Sequence, residues 1–541
     1  MVLTRTARIR AGAFVMALAA STTLLAACTP AEGDADQAAT QQPQSGGDVV
    51  VGISADPTCL DPQQNGNAAS ISASRQVVDS LTDLDPETGE VLPWLAESWT
   101  VDDDATSFTF TLRDDVTFSD GSALDADVVV RNFDTIASLG AATSLVTGYL
   151  AGYEGATAID EHTVQIDFST PSAGFLATTS VVQLGIVAES TLEKTAEERC
   201  APESIVGTGP FVYDSYTQNE STVLTRRDGY GWPSARAAHE GDAYLDSVTF
   251  QVVSESSVRV GSLQSGQLDA ITDVQPTDEE TLAGAGFDVI DRANPGVVNT
   301  LYPRASNKIT ADAAVRQAIQ IGIDRDQLAS VLSASYASAT SVLATSTPGY
   351  ADVSDELAYA PDAAAALLDD AGWETASDGV REKDGVRLSL DVAYLNSVVT
   401  NQSVLELVQQ QLGDIGVELT LRPLAVADYL EAVQEPDLAF SFGNFTRSEA
   451  DVLRTTFGGA DTNPARFADD DLTGLFTALQ TSSDETARAE TSADIQQFVV
   501  EAGYGIPVYE LAQVAATSTS LHDVSFDSSS RIFLYDAWLA N

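Results

Sequence analysis
Two rhythms of apolar and polar residues run through most of the chain. Phe108, Phe110 and Leu112 alternate with threonines, the two-residue period of a strand with one buried face. Val164, Ile166 and Phe168 repeat it, as do Val248, Phe250 and Val252. Elsewhere the period is helical. Leu405, Val408, Leu412 and Ile415 share one face, and Gly416 supplies a C-terminal stop. Val417, Leu419 and Leu421 then alternate again, so a helix feeds directly into a strand, the basic α/β unit. Thr310 is placed to cap a helix carrying Val315, Ala318 and Ile319 and ending at Gly322. Asp324 is placed to cap the next, with Leu328, Val331 and Leu332 on one side. Asp125 stands before Val128, Val129 and Phe133, and Asp469-Asp470-Asp471 before Leu472, Leu475, Phe476 and Leu479; both read as helix starts. Pro361-Asp362 opens an alanine-rich helix that stops at Gly372. The expected class is α/β, with no fixed-period repeat and no heptads.

The first 47 residues follow neither rhythm. Arg5, Arg8 and Arg10 precede an apolar run, Ala11 to Ala27, about as long as a signal-peptide core and short for a membrane span. Leu25-Ala26-Ala27-Cys28 resembles the bacterial lipobox. That resemblance implies a lipoprotein signal peptide at 1–27, cleavage before Cys28, and lipidation of its sulfur; the alternative is an ordinary secretory signal. Residues 28–47 hold Gln, Ala, Gly, Pro and Asp and no large apolar side chain, so they are expected to form a flexible leash. No later segment has the length and apolarity of a span. The mature chain is therefore expected outside the cytoplasm, held by its N-terminal lipid to the outer face of the cell membrane.

Charge narrows the partners. The chain carries 80 acidic and 26 basic side chains, a formal charge of −54 over 541 residues. Nucleic acid and anionic bilayer faces are repelled by such a surface. Lysine occurs only at Lys194, Lys308 and Lys383. Once Cys28 is assigned to lipid, Cys59 and Cys200 remain, an even pair in an oxidising compartment. A disulfide is expected between them, with two buried free thiols as the alternative. His162, His239 and His522 share no ligand spacing, so no metal site is expected. Neither G-x-S-x-G nor H-E-x-x-H occurs, and no enzyme activity or cofactor is expected. Gly207-x-Gly209 precedes Pro210 without the G-K-S/T of a phosphate loop, and reads as a turn leading into a strand. Trp94 and Trp99 read as core packing, and Asp102-Asp103-Asp104 as a solvated turn.

Seven blocks carry a family resemblance. They are the stretch from Val77 to Phe133 containing "LPWLAESW" and "FTFTLRDDVTFSDG"; "GTGPFVY" at 207–213; "YLDSVTFQVVSESSVRVGSLQSGQLDA" at 244–270; "DAAVRQAIQIGIDRDQL" at 312–328; "YAPDAAAALLDDAGW" at 359–373; "VQQQLGDIGVEL" at 408–419; and "GIPVYE" at 505–510. In this order they resemble the substrate-binding proteins of ABC importers, the family of oligopeptide-, dipeptide- and nickel-binding proteins (solute-binding protein family 5). The resemblance implies a two-lobed, periplasmic-binding-protein-like clamshell of type II, cluster C. Lobe one is expected at 48–300 plus 505–541, with an extra subdomain at about 76–204, and lobe two at 301–504. A ligand between the lobes would be buried by closure, and a monomer would hand it to a membrane permease.

The same resemblance points to "FSFGNFTRSEADVLRTTF" at 440–457. In peptide-binding members this region carries an aspartate that pairs with the peptide amine. Anchoring on "DVLRTTF" puts Phe445 at that position, with Arg447 nearby. Asn444 and Thr446 are flanking hydrogen-bond candidates, and Tyr302 follows the expected lobe crossing. A shift of two or three residues would bring Glu449 or Asp451 into the role, and Arg447 reads equally as a surface ion-pair partner. Capture of oligopeptides or similar-sized polar solutes for an importer is the leading expectation. The alternatives are a metal chelate, siderophore-like compound or oligosaccharide on the same fold, or a ligand sensor for a membrane receptor.

Overall fold
Strand rhythm and side-chain register agree where the pattern is clearest. In the computed structural model, which describes residues 42–64, 66–140, 146–458 and 465–540, Phe108 pairs with Ile166 and Phe110 with Val164 in antiparallel register. Their apolar faces meet on one side of a four-stranded sheet ordered Ala96–Val101, Ser107–Leu112, Thr163–Phe168, Tyr153–Asp160. The helix Ala126–Ser138 covers it with Val129, Phe133 and Ile136. Asp125 caps that helix by accepting from Val128 N at 2.9 Å. Phe175 closes the layer, 4.7 Å from the Phe168 ring centroid and 5.0 Å from that of Phe108. The signal segment, Cys28 and the leash as far as residue 41 lie outside the described residues.

Two larger sheets organise the rest, and residues 43–541 form one compact unit. The first has seven strands in the order Asp288–Ala293, Ala512–Thr517, Ala270–Ile271, Asp48–Ile53, Ser247–Val252, Ser221–Arg226, Phe211–Thr217. Asp48–Ile53 lies at its centre, parallel to Ser247–Val252, with Val49 and Val51 fully buried. The second has six strands, ordered Ala337–Ser338, Ile506–Glu510, Gly296–Pro303, Phe440–Thr446, Ser389–Leu395, Glu418–Leu424. Here Ser389–Leu395 is parallel to both neighbours. The helix Val399–Asp414 buries Val404, Leu405, Val408 and Leu412 and leads into Glu418–Leu424. Each sheet has its own apolar core, so the molecule is a two-lobed α/β protein with an added subdomain on the first lobe.

The chain switches sheets twice in the described residues between 288 and 517. Asp288–Ala293 belongs to the seven-stranded sheet and Gly296–Pro303 to the six-stranded one, so Asn294-Pro295 is the first crossing. The return runs from Ile506–Glu510 through Leu511 to Ala512–Thr517. Asn294 N donates to Leu511 O at 2.7 Å, stitching the two crossings together. The crossings anticipated near 300 and 505 fall inside or beside strands of the six-stranded sheet.

Local expectations divide. Asp324 caps its helix by accepting from Gln327 N at 3.0 Å, but that helix is a single turn, Arg325–Leu328, and Val331 and Leu332 lie beyond it. Thr310 caps nothing. Asp312 caps Ala313–Ile321 by accepting from Ala314 N at 3.0 Å, while the Thr310 hydroxyl donates to Arg304 O at 2.7 Å. The Asp312 carboxylate, immediately before the first turn, outcompetes a hydroxyl two residues further back that already has a carbonyl acceptor. Asp469 accepts from Asp471 N and Leu472 N at the head of Asp470–Thr481. Cys59 and Cys200 form a disulfide with a Cα–Cα distance of 4.3 Å, joining the segment after the first strand to the end of the subdomain. No helix among the described residues is long and apolar enough to cross a membrane.

Candidate ligand-binding cleft
Phe440–Thr446 starts in the core of the six-stranded sheet and ends in open space. Phe440, Ser441 and Phe442 are buried, whereas Asn444, Phe445 and Thr446 emerge. The emerging end is held against the first crossing. Thr446 Oγ1 accepts from Asn294 Nδ2 at 2.5 Å, and Arg447 N donates to Pro295 O at 3.1 Å. Gly296 pairs with Thr446 at a φ of 108°. A Cβ there would collide with Phe445 O and stand 2.6 Å from Arg447 N, so the close approach requires glycine.

This strand end forms one wall of a cavity of about 1000 Å³. Around it, the six-stranded lobe supplies Asn444, Phe445, Thr446, Arg447, Arg454 and Thr455. It adds Thr473, Phe476, Thr477 and Gln480 from one face of Asp470–Thr481. The opposite wall belongs to the first lobe: Gly66 and Ile71, Gly148 and Tyr149, Gln183, and Ser529 with Arg531 near the C-terminus. The walls touch. Ala173 N donates to Gln480 O at 3.0 Å, and the Arg447 guanidinium lies over the Tyr149 ring, 4.5 Å from its centroid. Gly148 makes that stacking possible, since a Cβ there would strike the guanidinium.

Four of the five sequence candidates line the cavity. Phe445 presents its ring at 42% exposure, and Asn444, Thr446 and Arg447 flank it. Tyr302 is 2% exposed and not among the lining residues; it wedges between Phe445 and Phe457, 5.8 and 6.0 Å between centroids, and supports Phe445 from beneath. Glu449 and Asp451, the alternatives for an amine anchor, also stay off the main wall. Asp451 is bidentate with Arg454, 2.7 Å between Oδ1 and Nε. Glu449 Oε2 accepts from Asp451 N at 2.6 Å and stands 4.0 Å from Arg488. Burial, reinforced by Asp451, pushes the Glu449 carboxyl up to about 7. Arg447 has no ion pair within 4.0 Å among the described residues, and Glu449 is a carboxylate close enough to feel its charge.

The residues that sequence reasoning missed come from the first lobe. Tyr149 and Arg531 are separated from each other and from Arg447 by long stretches of chain, and no local pattern marks either. Arg531 follows a loop built around Asp527, whose Oδ1 accepts from Ser529 N and Arg531 N at 2.9 and 2.8 Å. Among the described residues no group of three His, Cys, Asp or Glu is arranged to hold a metal.

Residues 90–462 match the family described as bacterial extracellular solute-binding proteins, family 5, middle region. The chain belongs to the family 5 solute-binding proteins. Members of this family are binding proteins for transport and not enzymes; they bind peptides, glutathione or metal chelates extracytoplasmically for ABC importers. The chain is 26% identical over 460 residues to the glutathione-binding protein GsiB of Salmonella paratyphi A, covering 82% of this chain and 83% of the relative. Its fold is similar to NikA of Brucella suis, solved with Fe(III)-EDTA (TM-score 0.79, 23% identity, 91% of this chain and 100% of that one). It is also similar to the oligopeptide-binding protein AppA of Bacillus subtilis, solved with a nonapeptide (TM-score 0.73, 22% identity, 92% and 100%). Structures of this fold have thus been solved with ligands as different as a chelate and a nonapeptide.

Proposed function
We propose that this family 5 protein captures a polar solute of tripeptide to oligopeptide size in the cleft between its lobes, closes over it, and delivers it to an ABC permease. The lobes would divide at Asn294-Pro295 and Leu511, and Cys28 would carry the lipid that tethers the chain to the outer face of the membrane. The observation that supports capture most directly is the cavity of about 1000 Å³ with walls from both lobes. Its size is at the upper end of small-molecule sites, and a solute touching both walls favours the closed arrangement over an open one. Glutathione, the ligand in the name of the curated relative, has the right size. Asn444, Phe445, Thr446 and Arg447 would contact the solute, with Tyr302 as buried support.

The chain starting at Gly46 tests this in a thermal-shift screen of peptides, sugars and metal chelates. A ligand at about 100 times its dissociation constant adds about 2.7 kcal/mol to stability. A stabilising solute whose effect disappears in Phe445→Ala supports the cleft; a stabiliser indifferent to every cleft substitution removes it. Mass spectrometry of the membrane-extracted protein for a diacylglyceryl group on Cys28 decides the tether.

A further inference from the structure
We propose that the captured solute is an anion bearing two separated acidic groups, one held by Arg531 of the first lobe and the other by Arg447 where it stacks on Tyr149. This rests on the solute-capture reading and narrows its ligand class. The first argument is a reversal of charge. The chain has 80 acidic side chains against 26 basic ones, yet among the described residues the cavity wall carries three arginines and no carboxylate. One of the three, Arg454, is neutralised by Asp451. Neither the Arg447 nor the Arg531 guanidinium has an ion pair within 4.0 Å or a side-chain hydrogen bond among the described residues, and Arg531 Nε is buried without a partner.

The carboxylates that stand near them act on them only at a distance and make their hydrogen bonds to other groups. Asp527 holds its loop through Oδ1 and faces Arg75 Nε at 3.5 Å through Oδ2. Asp273 Oδ2 accepts from Ser54 Oγ at 2.7 Å and Thr272 Oγ1 at 3.2 Å. Glu449, beside Arg447, has its carboxyl pushed up to about 7 by burial, so near neutral pH it carries only part of a full charge. Burial disfavours the charge on the Arg531 guanidinium although Asp527 and Asp273 stand near it, and a bidentate carboxylate or phosphate supplies the contact hydrogen bonds that neither of those makes to it. Among its described residues the same wall offers a peptide amine no carboxylate. A ligand anionic at both ends also joins the lobes, since each end meets a cation of a different lobe.

Matched probes decide the matter by calorimetry on the intact chain from Gly46. Glutathione, citrate and Fe(III)-EDTA form the anionic set. The ethyl esters of the first two, maltotriose and trilysine amide form the neutral and cationic sets. At least one anionic probe is expected to bind, with its ester markedly weaker. Arg531→Gln and Arg447→Gln are each expected to weaken it about 10- to 100-fold, the range for losing a charged hydrogen-bond partner. Arg113→Gln, which breaks an exposed pair with Asp115, is expected to leave affinity unchanged. The ester comparison uses the unaltered protein and stands even where a variant folds poorly. If esters, maltotriose or trilysine amide bind as well as the anions, or if folded R531Q and R447Q retain full affinity, the anion inference falls and solute capture survives. If no probe of any set binds, both fall.

Discussion

Phe445 and Tyr302 are touching aromatic residues with opposite exposure, and their truncations are expected to separate function from stability. Tyr302→Ala leaves a void in a packed core and is expected to cost about 3–5 kcal/mol. Phe445→Ala removes a half-exposed ring, is expected to cost far less in stability, and to weaken solute binding about tenfold. Urea midpoints and calorimetric affinities of the two variants check the split. Asp79 gives a pH signature from the first lobe. It is fully buried, accepting from Trp232 Nε1 at 3.1 Å, and burial raises its carboxyl to about 7. The native carboxyl therefore keeps its proton to near neutrality, while the unfolded chain releases it near pH 4. The stability this group contributes is complete below about pH 4 and is lost as pH rises through about 7. Glu449 acts in the same sense. Asp79→Asn, which has no proton to lose, is expected to show a smaller fall in urea midpoint between pH 5 and 8 than the parent. An equal fall would place the titration elsewhere.

Among the elements, the strand end at Gly296 joins the first sheet crossing to the cleft wall. Gly296→Ala forces a Cβ into Phe445 O at a backbone angle that L residues avoid. It is expected to lower stability by about 1–3 kcal/mol and to weaken the solute, because Phe445 and Arg447 must shift; chemical denaturation and calorimetry on one sample read both. Elements such as Ser107–Leu112, Val399–Asp414 and Asp470–Thr481 were legible in the sequence because burial periodicity and caps are local properties. The Thr310 cap failed because two acceptors stood near one helix start, and a local hydrogen bond from Thr310 back to Arg304 O left Asp312 as the cap. The cleft was half legible for the same reason. Asn444 to Arg447 lie on one continuous strand end, but Arg531 and Tyr149 come to the cavity only through the topology of the other lobe. Nothing within a few residues of either distinguishes it from a surface arginine or a core tyrosine.

At the scale of the whole molecule, the disulfide and the net charge act on different states. The Cys59–Cys200 bridge spans 141 residues, for which chain entropy gives a stabilisation of about 4–5 kcal/mol as an upper figure. The double Ser variant is expected to unfold at lower urea than the oxidised parent and to match the reduced one. The charge of −54 works through self-repulsion, which opposes the compact state and is screened by salt. Raising NaCl from about 0.01 M to about 1 M shortens the screening length from about 30 Å to about 3 Å. The ligand-free protein is therefore expected to melt at higher temperature in high salt. An anionic solute paired with Arg447 and Arg531 is expected to respond in the opposite direction. Its attraction to the guanidiniums weakens, and salt anions compete for the same groups. Melting with and without citrate or glutathione, across that salt series, should thus give two curves that converge as salt rises. A ligand-dependent shift that stays constant would mean that the cleft recognises its guest through Phe445 and the neutral hydrogen-bonding residues, and that the two arginines are bystanders.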